Sequence, residues 1–144
     1  MRHAIATIGT LLASLILISC VGVSAPEEIP EDLTPMEYFQ RAQEAVAKRN
    51  DYDTAMVYYT TFKDRFPGDL QGNVEADYEI AFLYYKKGEY GEAKERFEEI
   101  IARYETEEAT RLREWPLVLS RKVLAKIVRL ETEELSADGP TGEE

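Results

Sequence analysis

The reactive side chains of this sequence are few, and they lie near its amino-terminal end. The chain has 144 residues, with one cysteine and one histidine. Cys20 cannot form an internal disulfide by itself, and a single thiol lacks the paired spacing that a zinc site requires. Arg2 and His3 form a short basic start, and an uncharged, apolar run over residues 4–18 follows them. This order is typical of a secretory signal peptide, so we predict a leader over residues 1–19.

The end of the predicted leader, Leu17-Ile18-Ser19-Cys20, resembles the lipobox of bacterial lipoproteins. The resemblance implies that the chain is cut before Cys20 and that its thiol carries covalent lipid; no other cofactor is expected. Each buried acyl CH₂ contributes ~0.8 kcal/mol, so two or three chains would hold the protein firmly. In that family an aspartate after the cysteine signals inner-membrane retention. Val21 stands there instead, which favours the periplasmic face of the outer membrane.

Two alternatives to a lipid anchor remain open at this point. One is an ordinary secreted protein in which the cysteine is buried. The other is an uncleaved amino-terminal anchor, although a membrane-spanning helix needs about 20 apolar residues and the run over residues 4–18 is shorter.

Composition limits the chemistry that the rest of the chain can perform. The sequence has 28 acidic and 17 basic side chains and a net charge of −11, which becomes near −12 without Arg2. Nucleic acid is therefore a disfavoured partner, because affinity for phosphates depends on clustered Lys and Arg. Loss of the leader would also remove His3, which excludes Ser–His, Cys–His and histidine-ligated metal chemistry. The carboxylates have the spacing of solvated helix faces, so we predict neither an enzyme nor a metal site.

One domain of about 100 residues, enough for one modest core, lies between two polar segments. Residues 20–33 hold two prolines and four acidic residues after the cysteine, and we expect them to form a flexible linker. We expect residues 136–144 to be disordered and residues 34–135 to be helical throughout. Thr34, Pro35 and Glu37 mark the first helix start. The predicted helices lie near residues 34–48, 52–66, 74–87, 90–104 and 116–135.

Two of the predicted helices repeat each other at a distance of 38 residues. The spacing of the aligned residues, 3, 4, 3 and 4, places each set on one face of an α-helix. A repeat of this length is one helical hairpin that must stack on a neighbour to bury its apolar face. The aligned sets are Tyr52, Ala55, Tyr59, Phe62 and Phe66, and Tyr90, Ala93, Phe97, Ile100 and Tyr104.

These units resemble tetratricopeptide repeats, whose second helix carries an aromatic residue, an alanine three residues on and an aromatic residue four further. The first unit also has the proline that often follows that helix, whereas Glu105 replaces it in the second unit. Gln43 stands where the family usually has a small residue. The matching residues are Tyr52, Ala55, Tyr59 and Pro67, and Tyr90, Ala93 and Phe97; Ala42, Val46, Ile80, Ala81 and Tyr84 take the packing positions of the first helices.

The resemblance implies an all-α fold, a short α-solenoid of two helical hairpins closed by a carboxy-terminal capping helix. It also implies a scaffold that binds other proteins or peptide segments. Longer, aromatic-rich units of this kind are similar to those of the tetratricopeptide lipoprotein of the outer-membrane β-barrel assembly machinery and of the Tol–Pal coordinator. A role in outer-membrane protein assembly or envelope maintenance is therefore expected.

The third helix carries aromatic residues on more than one face. Tyr78, Phe82 and Tyr85 are spaced at i, i+4 and i+7, away from the side that faces the hairpin partner. Because first helices of tetratricopeptide units line the concave groove, this row is a candidate binding surface, together with Lys86, Gln40, Glu44 and Lys48. The alternative is that the row belongs to the core. In a different class of function, Phe82, Tyr84, Tyr85 and Phe97 would enclose a small apolar ligand for an uptake system.

The last predicted helix has one basic side in an acidic protein. Lys122, Lys126 and Arg129 share that side, and residues 115–130 contain no acid. This basic patch is either a solvated face balanced by the glutamates that follow or a dock for an acidic partner or anionic headgroups.

Overall fold

The computed structural model describes residues 29–137, which fold into five α-helices and one 3₁₀ turn without a β-strand. The prediction of an all-α stack is confirmed. Within this part of the chain no helix is both long and apolar enough to cross a membrane. Cys20, the predicted leader and residues 138–144 lie outside the described residues. The helices are α1 (Pro35–Arg49), α2 (Tyr52–Arg65), α3 (Leu70–Lys87), α4 (Tyr90–Arg103) and α5 (Trp115–Ala137), with the 3₁₀ turn at Glu107–Arg111.

Short polar side chains start the first three helices. The Thr34 hydroxyl accepts from the backbone N–H of Glu37, whose carboxylate accepts from the backbone N–H of Thr34 at 2.8 Å, so a capping box is present. Asp51 caps α2 in a similar way. Asp69 accepts from the backbone N–H of Gly72 at 2.9 Å, and α3 therefore begins four residues earlier than predicted. The sequence predicts a loop over residues 67–73, whereas residues 70–73 form the first turn of α3.

Consecutive helices pack as hairpins, α1 with α2 and α3 with α4, and α5 closes the stack against α4 and α3. The repeated stripe lies inside each hairpin, as predicted. In the first hairpin Ala55 and Phe62 are fully buried, and in the second Ala93 and Phe97 are fully buried. An alanine at the crossing point lets the paired helix approach closely, and the aromatic ring fills the space beyond it.

The two hairpins are joined through α2, α3 and α4. The Cα of Gly72 lies so close to α2 that an added Cβ would stand 2.6 Å from the ring of Phe62. On the other side of α3, the Asp77 carboxylate accepts from Lys63 of α2 and, at 2.9 Å, from Arg103 of α4. The crossing of the two hairpins therefore depends on the absence of a side chain at Gly72 and on the ion pairs of Asp77 with Lys63 and Arg103.

The folded part extends into the segment that was expected to be a linker. Leu33 is 7% exposed and Ile29 packs against the first apolar cluster. Arg65, at the end of α2, donates to the carbonyl of Pro30 at 2.7 Å and also to the hydroxyl of Tyr38. Residues 29–33 are therefore docked on the first hairpin, because two apolar side chains and one arginine hold them there. At the other end α5 continues to Ala137, two residues past the predicted end.

Candidate functional site

The three aromatic residues that were expected to face a groove form a row along α3. The ring centroids of Tyr78 and Phe82 lie 6.1 Å apart, and those of Phe82 and Tyr85 lie 5.7 Å apart. Trp115, at the start of α5, extends the row with its ring edge-on to Tyr78 at 5.2 Å. Only 7% of Tyr78 is exposed, so the prediction that Tyr78 belongs to a binding surface is wrong, and this residue belongs to the core. The cause is α5, which packs beside α3 and whose first residue covers this ring.

The rest of the row is only partly buried. Phe82 and Tyr85 keep some exposed surface, and Lys86 is exposed. The ammonium of Lys126, on α5, lies 5.4 Å from the ring centroid of Tyr85. The row is thus mainly an α3–α5 packing surface, and its outer members form the edge of that surface.

The rings proposed to enclose a small apolar ligand contact one another or other side chains. Phe82 stacks on Tyr85, and Phe97 is fully buried 5.9 Å from Tyr78. The guanidinium of Arg96 lies over the ring of Tyr84 at 4.8 Å from its centroid. These contacts fill the space between the rings that such a ligand would occupy.

The three α1 residues assigned to the groove are exposed and interact with each other. The amide of Gln40 donates to Glu44 at 3.4 Å, and Lys48 forms an ion pair with Glu44 at 3.3 Å. They form one line along α1, at steps of four residues, and Met36 lies one turn before Gln40 on the same side of the helix.

A groove that the sequence interpretation missed lies between the first turns of α1 and α3. Met36 at its edge is 79% exposed, and Phe39 on its floor packs edge-on against Phe62 at 5.1 Å. The sequence signal for this groove was the apolar pair Met36 and Phe39, three residues apart in the first turn of α1. This pair extends the apolar surface of α1 beyond its buried residues. The cavity has a volume of about 390 Å³ and is lined by Pro35, Met36, Phe39, Phe62, Asp69, Gln71, Gly72, Glu75 and Arg113.

One wall of this groove is polar and centres on Glu75. The carboxylate of Glu75 accepts from Gln71 at 2.7 Å, and from Arg113 and the indole N–H of Trp115 at 3.3 Å each. Gln71 in turn accepts from the backbone N–H of Arg113 at 2.7 Å. These bonds fix the chain before α5 against α3, so the groove has an apolar floor and a rigid polar wall.

A second carboxylate lies one turn further along α3. Burial, and then the charge of Glu75, raise the pKa of Glu79. Burial, with a smaller contribution from Glu79, raises the pKa of Tyr78 to about 12, and the same two causes raise the pKa of Tyr59. The charge of Glu79 is therefore poorly solvated and close to both tyrosines.

Over residues 29–137 no group of three or more Cys, His, Asp or Glu side chains is placed to hold a metal ion.

The basic patch forms a coherent surface on α5. Lys122, Lys126 and Arg129 are all exposed, and with Ala125 they line a shallow depression of about 300 Å³. Arg129 pairs with Glu133 of the next turn at 3.5 Å. An exposed pair of this kind contributes little to stability, but its carboxylate offsets part of the positive charge at Arg129, whereas Lys122 and Lys126 form no ion pair among the described residues.

The comparisons with known proteins agree with this architecture. Residues 75–106, which contain most of α3 and all of α4, match the tetratricopeptide repeat family. An uncharacterized protein of Treponema pallidum (strain Nichols) is 32% identical over 102 residues, which cover 71% of this chain and 40% of that protein. The chain thus spans less than half the length of that relative. No solved structure matches this chain. Tetratricopeptide repeats are typically non-catalytic protein-binding modules, and the described residues form an all-α, tetratricopeptide-like solenoid.

Proposed function

We propose that this protein is a lipid-anchored scaffold of the bacterial envelope that binds segments of other envelope proteins in the groove between α1 and α3. The observation that carries the proposal is the groove itself, with Met36 exposed at its edge, Phe39 on its floor and Glu75 on its wall. An unbranched methionine adapts to different apolar partners. Apolar grooves with a few fixed polar groups are the usual form of a binding site.

The anchoring part of the proposal is supported by sequence alone. The lipobox-like residues before Cys20 favour covalent lipid, and Val21 favours the periplasmic face of the outer membrane. With residues 29–33 docked on the first hairpin, only residues 21–28 would separate the lipid from the folded part. We propose a role in outer-membrane protein assembly or envelope maintenance on the basis of the resemblances described above.

The groove is tested by site-specific photo-crosslinking in intact cells of the source organism or a host that processes the leader. A photoreactive amino acid at Met36 should capture a discrete envelope protein. The matched control places the same group at Val57, which is 39% exposed on α2 and does not line the groove. Equal capture from both positions, or none from Met36, would contradict the assignment of this groove.

The anchor is tested separately with Cys20→Ser. The unchanged chain should partition into the detergent phase, and mass spectrometry should find diacylglycerol on residue 20. The variant should lose the lipid and the normal processing. A processed Cys20→Ser product that still partitions into detergent would show that something other than this thiol holds the protein.

A further inference from the structure

The outer face of α5 carries a second row of apolar side chains, directed away from the core. Val118, Val128 and Leu135 are 57%, 45% and 78% exposed, and Ala125 is also exposed. These four residues, the outer stripe, recur at spacings of seven, three and seven, which is the a and d spacing of helices that pack lengthwise. The inner face, with Ser120 and Ile127 fully buried, already packs in the stack. The outer stripe therefore has no role in the packing of residues 29–137.

A cationic border runs along one side of the outer stripe. Lys122 and Arg129 lie seven residues apart at the e positions of the same heptad register, and Lys126 lies between them. Lys126 is held towards α3 by the ring of Tyr85, whereas Lys122 and Arg129 extend beside Ala125. Residues at e positions meet the flanking residues of a partner helix and select its charge.

We propose that the outer face of α5 docks a helix of another protein whose apolar stripe is bordered by aspartate and glutamate. The outer stripe supplies the apolar contact along five turns of helix. Lys122 and Arg129 supply opposite charge to the acidic border, which sets the register and speeds association. This surface is separate from the groove between α1 and α3, so the inference does not depend on the proposed function of that groove.

A second copy of this chain fits the surface poorly. In a parallel pairing along the outer stripe, Arg121 at the d position would face its own copy. In an antiparallel pairing, the border with Lys122 and Arg129 would face the same border. Like charges placed opposite each other across an interface are unfavourable by several kcal/mol, so both orientations are disfavoured.

An anionic bilayer is also a poorer fit than an acidic helix. Glu133 and Glu134 are exposed on the turn after Arg129, and a flat surface wide enough to touch the basic patch would meet them as well. A single helix along the outer stripe contacts Lys122 and Arg129 but a narrower part of α5 than a flat surface would.

The test uses residues 20–144, produced without the predicted leader and with Cys20→Ser, so that neither lipid nor the apolar run over residues 4–18 contributes to binding. It also uses two synthetic peptides of 18 residues, a length of about five turns. Both peptides have leucine at a and d; one has glutamate at e and g, the other lysine. Like charges at these flanks keep each peptide from pairing with itself. Binding is measured by fluorescence anisotropy. We expect the glutamate peptide to bind at least tenfold more tightly than the lysine peptide.

The decisive variant is Lys122→Glu with Arg129→Glu, which should invert that preference. Lys48→Glu with Arg111→Glu changes the net charge equally on other exposed surfaces and should leave the preference unchanged. Val128→Asp should weaken both peptides, and circular dichroism should show that every variant keeps the helical fold. Equal affinity for both peptides, or a preference that ignores the α5 substitutions, would overturn the proposal.

Two further outcomes would also overturn it in favour of another occupant. In the first, the protein co-sediments with phosphatidylglycerol vesicles but not with phosphatidylcholine vesicles, and the Lys122→Glu, Arg129→Glu variant no longer does so. The second is a dimer in analytical ultracentrifugation that Val128→Asp dissociates.

Discussion

At the scale of single residues, the fold depends on a position with no side chain. Gly72 lies on α3 against α2, where a Cβ would stand 2.6 Å from both Phe62 and the Asp69 carboxylate. Gly72→Ala should therefore force the two hairpins apart and cost about 1–3 kcal/mol of unfolding free energy. Gly91→Ala is the matched control, because Gly91 lies in α4 with open space around it. It should stabilise by about 0.4–1 kcal/mol. Urea denaturation of both variants measures the difference, and equal effects would contradict the close approach of α2 and α3.

Tyr78 provides a second test at this scale, because its burial decides whether the aromatic row on α3 lines a groove or belongs to the core. Tyr78→Ala should cost about 3–5 kcal/mol, since the ring contacts Phe82, Phe97 and Trp115. Met36→Ala, at an exposed position, should change stability by less than about 0.5 kcal/mol. Thermal and urea unfolding give both values. A Tyr78→Ala variant as stable as the parent would show that the ring is not part of the core.

At the scale of helices, Asp77 links three elements at one point. Its carboxylate pairs with Lys63 of α2 and Arg103 of α4, and the three side chains are between one fifth and about one third exposed. Asp77→Asn should destabilise the stack by about 1–2 kcal/mol, a value reduced for partial solvation. Asp64→Asn, on the exposed side of α2, should have an effect within about 0.5 kcal/mol. If high salt leaves the difference between the two variants unchanged in urea unfolding, the contribution of Asp77 is not electrostatic.

Helices and hairpins were predictable from the sequence because their signals are local. The alanine–aromatic stripe fixes which face is buried, and Thr34 with Glu37 fixes where α1 starts. The start of α3 lies four residues before the predicted one, because Asp69 caps the helix and the close packing against Phe62 requires Gly72. The docking of residues 29–33 depends on Arg65, and the burial of Tyr78 depends on Trp115; both contacts are distant in sequence. The groove was missed for the same reason, since it is formed between α1 and α3.

At the scale of the whole molecule, the pH dependence of stability includes Glu79, which is partly buried and lies one turn from Glu75. Burial and Glu75 raise the pKa of Glu79 above its ordinary value of 4.5. Between that value and the pKa in the folded state, the folded chain binds more protons than the unfolded chain. Stability therefore falls as pH rises through this interval, and the ionised carboxylate is unfavourable for folding at neutral pH.

Glu79→Gln should consequently be more stable than the parent at pH 7, and its advantage should shrink as pH falls towards 4.5 and below, where the parent is protonated as well. Glu98→Gln is the control, because Glu98 is exposed on α4 and its substitution also removes one negative charge. Thermal unfolding of the three proteins from pH 4 to pH 8 separates the two contributions. If both variants gain equally at neutral pH, the effect comes from the overall charge. If only Glu79→Gln gains, the effect comes from the burial of this carboxylate beside Glu75.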